Sequence, residues 1–159
     1  MWRRIVTRGF VVLIGLALVA QVVRIDKTNP PVSGDVGAPA PVARVLRNAC
    51  YDCHSNEVRW PWYADVAPVS WLLARDVEEG REELNFSAWT RYDGKKRLKK
   101  LKETIEEVGD HEMPPWYYAM MHPEARLAED ERLLLLDWAR AGLSGTGAAS
   151  NAAGIVRHD

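Results

Sequence analysis

Apolar residues recur at helical spacing in four places along the chain. Val42, Val45, Leu46 and Ala49 form the first stripe, which leads straight into Cys50. A second helix is expected to open at Pro68, a favourable first-turn residue, and to run through Trp71, Leu72 and Ala74 to about Gly80. Leu98, Leu101, Ile105 and Val108 mark a third, ending at Gly109. The fourth runs from about Ala128 to Ala141 and carries Leu133 to Leu136 and Trp138. Between the second and third, residues 85–89 read as a turn with Ser87 as its cap. No alternating strand pattern and no hairpin signal interrupts this series. The expected fold class is all-α.

A different pattern precedes these helices. Arg3, Arg4 and Arg8 are followed by an apolar run from Phe10 to Ala20. A basic start before such a run is a signal peptide or a signal anchor. From Ile5 to Val23 the segment makes about 28 Å of helix, close to a bilayer core of about 30 Å. The residues before Ala20 make a poor cleavage site, so residues 1–24 are expected to be an uncleaved transmembrane helix. Residues 25–41 hold Pro30, Pro31, Pro39 and Pro41 and read as an extended linker outside the core. The domain then spans residues 42–143, and residues 144–159 form a loose Ala/Gly-rich tail.

Composition changes this picture in three respects. The chain has 159 residues and a formal net charge of −1, which leaves no electrostatic footprint for nucleic acid. Its 2 cysteines cannot build a disulfide framework. Its 7 tryptophans against 2 phenylalanines point to large flat surfaces that need covering.

Both cysteines fall in Cys50-Tyr51-Asp52-Cys53-His54. Cys-x-x-Cys-His is the attachment signature of c-type haem. Two thiols three residues apart on a helical turn face one side and reach the two vinyl groups of one porphyrin. The adjacent His54 then meets the iron. A thioredoxin-like pair needs a preceding strand, and the segment before Cys50 reads as helix. Zinc needs two further ligands, and His111 and His122 are spaced too widely for the usual pattern. The expected cofactor is covalent haem c with its iron.

The sixth iron position has three candidates. Met113 follows a helix end and precedes Pro114 and Pro115, which fix the backbone there. Its soft, neutral sulfur favours ferrous iron and raises the potential. His111 and His122 are the alternatives, giving a lower-potential bis-His centre.

The sequence resembles the bacterial haem-binding domain family, exported single-haem proteins related to class I cytochromes c. The resemblance rests on Cys50 to Asn56, Trp60-Pro61-Trp62-Tyr63, Ala67 to Trp71, Glu79-Gly80-Arg81, Leu84 to Trp89, Met113-Pro114, Tyr118 and His122. Some relatives carry His where this chain has Asp76, so no iron ligand is expected there. The resemblance implies a cytochrome c-like helical domain around one covalently attached haem, with Val42 and Leu46 packed against Leu135 and Trp138.

Further roles follow as expectations. Trp60, Trp62, Trp71, Trp89 and Trp116 are candidates to cover the haem faces, with Tyr63 beside them. The carbonyls of Pro61 or Pro68 are candidates to hold the second ring nitrogen of His54. Arg59, Tyr63 or Arg81 are candidates to neutralise the propionates. The run Lys95-Lys96-Arg97 with Lys99, Lys100 and Lys102 reads as a solvated face or as a dock for an acidic redox partner. The expected function is one-electron transfer by a single-pass inner-membrane protein with its haem domain in the periplasm. The alternative is a haem peroxidase or gas or redox sensor with an open or displaceable sixth ligand and His111 as a distal base.

Overall fold

A computed structural model of the chain describes residues 2–145, so nearly all of the expected tail lies outside the described residues. The described residues are helical: α1 (Trp2–Ala20), α2 (Ala40–Ala49), α3 (Tyr51–His54), α4 (Val69–Glu83), α5 (Gly94–Gly109), α6 (Trp116–Met121) and α7 (Glu129–Leu143). Three short 3-10 turns lie at Trp62–Asp65, Trp89–Arg91 and Pro123–Ala125. The one β-type pairing among the described residues is an isolated bridge between Gly34 and Ala88. The all-α expectation holds.

Local chemistry sets the helix starts. The Asp93 carboxylate accepts the Lys96 N–H at 2.7 Å and caps α5. Glu129, Asp130 and Glu131 crowd the first turn of α7, where the helix dipole favours negative charge. The Glu131 carboxylate also accepts the Ala128 N–H at 3.2 Å. Pro41 sits at the opening of α2, where its missing N–H has no helical partner to lose.

The apolar stripes then meet. Val42, Val45 and Leu46 of α2 share one buried cluster with Tyr51, Phe86, Val108 of α5, and Leu135 and Leu136 of α7. Ile105, Met113 and Trp138 pack around its margin. The pairing of Val42 and Leu46 with Leu135 and Trp138 therefore matches the expectation. Tyr51 lies flat on Phe86, with ring centroids 5.3 Å apart.

Residues 25–39 depart from the reading of a free linker. Asn29 clamps the Val58 peptide, its Oδ1 accepting the N–H at 3.2 Å and its Nδ2 donating to the carbonyl at 3.1 Å. The Asn56 amide donates to the Pro31 carbonyl at 2.9 Å. Tyr51 Oη donates to Asp35 at 2.6 Å, and Val36 and Ala38 pack on the core. Proline content signalled extended backbone, but paired Asn and Asp side chains give that backbone fixed partners. Ser87 is likewise not a helix cap: its hydroxyl accepts the Asn56 N–H at 3.0 Å, tying residues 85–89 to the motif.

The expectation for the N-terminus needs correction. No helix among the described residues is long and apolar enough to cross a membrane. Helix α1 stops at Ala20, and Arg3, Arg4 and Arg8 lie within it. The apolar stretch beyond Arg8, Gly9 to Ala20, is about 18 Å long against a hydrocarbon core of about 30 Å. None of its side chains is buried against the domain.

Leu135 is fully enclosed between α2, α5 and the Phe86 turn. Leu135→Ala is expected to destabilise the chain by about 3 kcal/mol in chemical denaturation, with an unchanged slope. A loss well under 1 kcal/mol would contradict this packing.

Candidate functional site

Helix α2 ends at Cys50, whose backbone leaves helical geometry (φ −124°, ψ −36°) before α3 begins. The motif is thus one separate turn, closed by the His54 N–H on the Cys50 carbonyl at 2.8 Å. Cys50 and Cys53 are unpaired and partly buried, and they line the same cavity. Burial pushes both thiols up to about 12, and the Asp76 and Asp52 carboxylates raise Cys53 further. They are neutral thiols at ordinary pH, unlike the acidified pair of a disulfide oxidoreductase.

The second ring nitrogen of His54 is held twice. Nδ1 lies 2.8 Å from the Gly80 carbonyl and 3.1 Å from the Leu84 carbonyl. Both partners are acceptors, so Nδ1 carries the proton and Nε2 carries the lone pair. Burial lowers the imidazole pKa and keeps the ring neutral. The carbonyls of Pro61 and Pro68 do not serve here, because the last turn of α4 reaches the ring first. That approach depends on Gly80: a Cβ there would stand 2.9 Å from the Cys53 carbonyl oxygen.

Beneath the turn lies a polar anchor. Asp52 accepts from the Arg59 backbone N–H at 3.0 Å, from its guanidinium at 3.2 Å, and from Tyr118 Oη at 2.8 Å. Burial of the Tyr118 phenol and the Asp52 charge raise its pKa, so it remains a donor.

Two cavities, of about 290 and 260 Å³, open around His54. Cys50, His54, Glu83, Val108 and Met113 line both, so they are two lobes of one cleft. The first lobe is walled by Leu46, Phe86 and Leu135 and extends to Lys100 and Thr104. The second holds Cys53 and is closed by Pro114, Pro115, Tyr117 and Tyr118. The size suits a cofactor, and the donor set suits a haem: two thiols, an oriented neutral imidazole, a thioether and apolar walls.

The structure sorts the predicted residues. Met113 lines both lobes, with its N–H on the Glu107 carbonyl at 3.1 Å. His111 is exposed in a left-handed backbone conformation (φ +62°) and lines neither lobe. His122 also stands outside: Tyr63 Oη engages its Nε2, Glu124 its Nδ1 at 3.1 Å, and Tyr118 stacks on its ring at 4.2 Å. Asp76 lines the second lobe and accepts from Tyr117 Oη at 3.2 Å, and burial raises its carboxyl pKa. Among the described residues, no three His, Cys, Asp or Glu side chains converge as a metal cluster.

The tryptophans need correction, since none lines either lobe. Trp62 and Trp116 are 77% and 76% exposed. Trp60 and Trp71 donate their indole N–H to the Lys27 and Val23 carbonyls and so fasten the N-terminal segment. Trp89 stacks on the outer side of the core against Phe86. Aliphatic residues and Phe86 wall the cleft instead.

The three propionate candidates are engaged elsewhere. Arg59 is paired with Asp52, Arg81 donates to the Ser55 carbonyl at 2.8 Å and to Asn29, and Tyr63 engages His122. The lysine run is largely a solvated face: Lys99 and Lys102 pair with Glu103 and Glu106, and Lys96 sits over the Tyr92 ring. Lys100 is the one buried lysine of the run, and sequence reading missed it because it sits inside that run. Its spacing from Thr104 and Glu107 along one helix edge was the available signal.

Gly80→Ala is expected to cost about 1–3 kcal/mol in chemical denaturation, because backbone and not a flexible side chain blocks the new methyl. An unchanged midpoint would contradict the close approach of α4 to the motif. In comparisons with known proteins, no curated protein and no solved structure matches the chain. The haem-binding domain family matches residues 13–141. A match over that span, with a cleft fitted to the cofactor, establishes that the chain belongs to the haem-binding domain family.

Proposed function

We propose that the chain is a monohaem c-type cytochrome-like electron carrier, with haem attached through Cys50 and Cys53 and iron held by His54 and Met113. The observation that carries this reading is the meeting of both thiols, an Nδ1-protonated imidazole and a thioether in one cleft. When bound, the haem supplies an iron that takes up and returns one electron. Cys50 and Cys53 would hold the haem as thioethers, each neutral thiol supplying its sulfur and its hydrogen to one vinyl group. The carbonyls of Gly80 and Leu84 fix the ring of His54 and strengthen it as a donor. Met113 contributes a neutral soft ligand, and the walls of Leu46, Phe86 and Leu135 exclude water, both of which raise the potential. His111, the expected distal base of a peroxidase or sensor, faces neither lobe.

The same reading places the domain outside the cytoplasm, on the periplasmic side of the inner membrane. The support is the order of basic residues and a short apolar run in α1, the length of an export signal's hydrophobic segment. Donor and acceptor are redox proteins of that compartment.

Two measurements test the reading. Full-length chain matured with haem-attachment machinery is expected to carry one haem that survives denaturation and to give a low-spin ferric spectrum. Met113→Ala is expected to abolish the weak long-wavelength band of thioether ligation while leaving the haem attached. A colourless chain of bare polypeptide mass contradicts the reading. Separately, residues 1–41 fused to a reporter active only after export are expected to give activity, and Leu13→Arg is expected to abolish it. A silent wild-type fusion contradicts export.

A further inference from the structure

Lys100 is an unusual presence in the cleft. It is 5% exposed, and no other lysine or arginine lines either lobe among the described residues. Its ammonium is held 2.7 Å from Glu103 and 3.5 Å from Glu83. Burial works against its charge, but the two carboxylates outweigh burial and hold it protonated. The partners differ in freedom: the Glu83 side chain is 79% exposed and that of Glu103 35%, against 6% for Lys100. The carboxylates therefore have more water to turn to than the Lys100 side chain has.

Thioether attachment sets a direction in this cleft. Cys53 lines only the second lobe, Cys50 and His54 line both, and Lys100 lines only the first. Haem carries its vinyl groups and its two propionates on opposite halves of the ring. An anchor at Cys53 would leave the first lobe to the opposite, propionate-bearing half of the ring, and among the described residues Lys100 is the one lysine or arginine lining that lobe. There the ionisable neighbours are Glu83 from α4, Glu103 and Glu107 from α5, and the neutral His54 from α3. An anionic edge entering among three carboxylates needs a cation beside it, and among the described residues Lys100 is the one that lines the cleft.

We propose that Lys100 is the propionate-binding cation of this protein, exchanging a glutamate for a haem propionate when the cofactor occupies the cleft. The inference rests on the haem reading above and extends it to a residue with no part in attachment or iron ligation. Glu83 and Glu103 then hold the ammonium in place before the cofactor arrives. Its counter-charge stabilises ferrous iron, and its hydrogen bond orients the propionate.

The test uses haem-loaded full chain, with the midpoint potential and the propionate-bending band of the resonance Raman spectrum as readouts. Lys100→Gln removes the charge and is expected to shift the ferric-to-ferrous ratio about tenfold toward ferric, about 59 mV for one electron, and to move the band. Lys100→Arg keeps the charge but redirects the donors, so the potential is expected to hold while the band moves. If Lys100→Gln does not load, Lys100→Arg decides: an unmoved band overturns the proposal. Potential and band both unchanged in Lys100→Gln overturn it as well, and leave Lys100 a structural partner of Glu103. Wild-type chain that carries no covalent haem refutes the haem reading itself, a result distinct from unresponsive Lys100 variants on haem-bearing protein.

Discussion

The grip of two carbonyls on one ring nitrogen organises this molecule. Gly80 and Leu84 end α4 at His54 Nδ1, and that contact decides the tautomer, the direction of the free lone pair and the seat of α4 against the motif. The position is reached because Gly80 lacks a side chain where α4 passes the Cys53 carbonyl. From the other side, the Phe86 N–H donates to the His54 carbonyl at 2.8 Å, so the turn after α4 closes on the same residue. Phe86 then stacks on Tyr51 and walls the cleft. One four-residue turn is thereby fixed along its length without a long helix of its own.

Charge in the site is organised in two layers. Below the motif, Asp52 is buried yet satisfied by Arg59 and Tyr118, which offsets the cost of desolvating a carboxylate. Within the cleft, the thiols and imidazole are neutral, and Lys100 supplies a buried positive charge balanced by glutamates at the rim. A haem, anionic at its propionates and apolar across its ring, meets both requirements of such a cleft. The N-terminal segment joins this arrangement from outside: Asn29, Pro31 and Asp35 bond to the motif and its flanks, so the polypeptide ahead of α2 helps to fix the turn.

What was legible in the sequence follows the physics of each signal. Helical stripes such as Val42/Leu46 and Leu101/Val108 report burial directly, and the four main helices were readable within a few residues. Cys50, Cys53 and His54 stood out in the sequence as one spaced motif, and the structure gathers all three at one cleft. Met113 stood out through its two following prolines. The partners of His54 were hidden, because backbone carbonyls carry no residue signature. The tryptophans misled: bulk suggested haem cover, whereas Trp60 and Trp71 spend their indole N–H groups on the N-terminal segment. The membrane span misled for a similar reason, since hydropathy alone does not reveal where a helix stops.

The most direct test is a crystal structure of the matured, haem-bearing chain. The account predicts iron bonded to His54 Nε2 on one face and the Met113 sulfur on the other, with His54 Nδ1 still on the Gly80 and Leu84 carbonyls. Iron held by any other side chain, or a His54 ring turned away from those carbonyls, would contradict it.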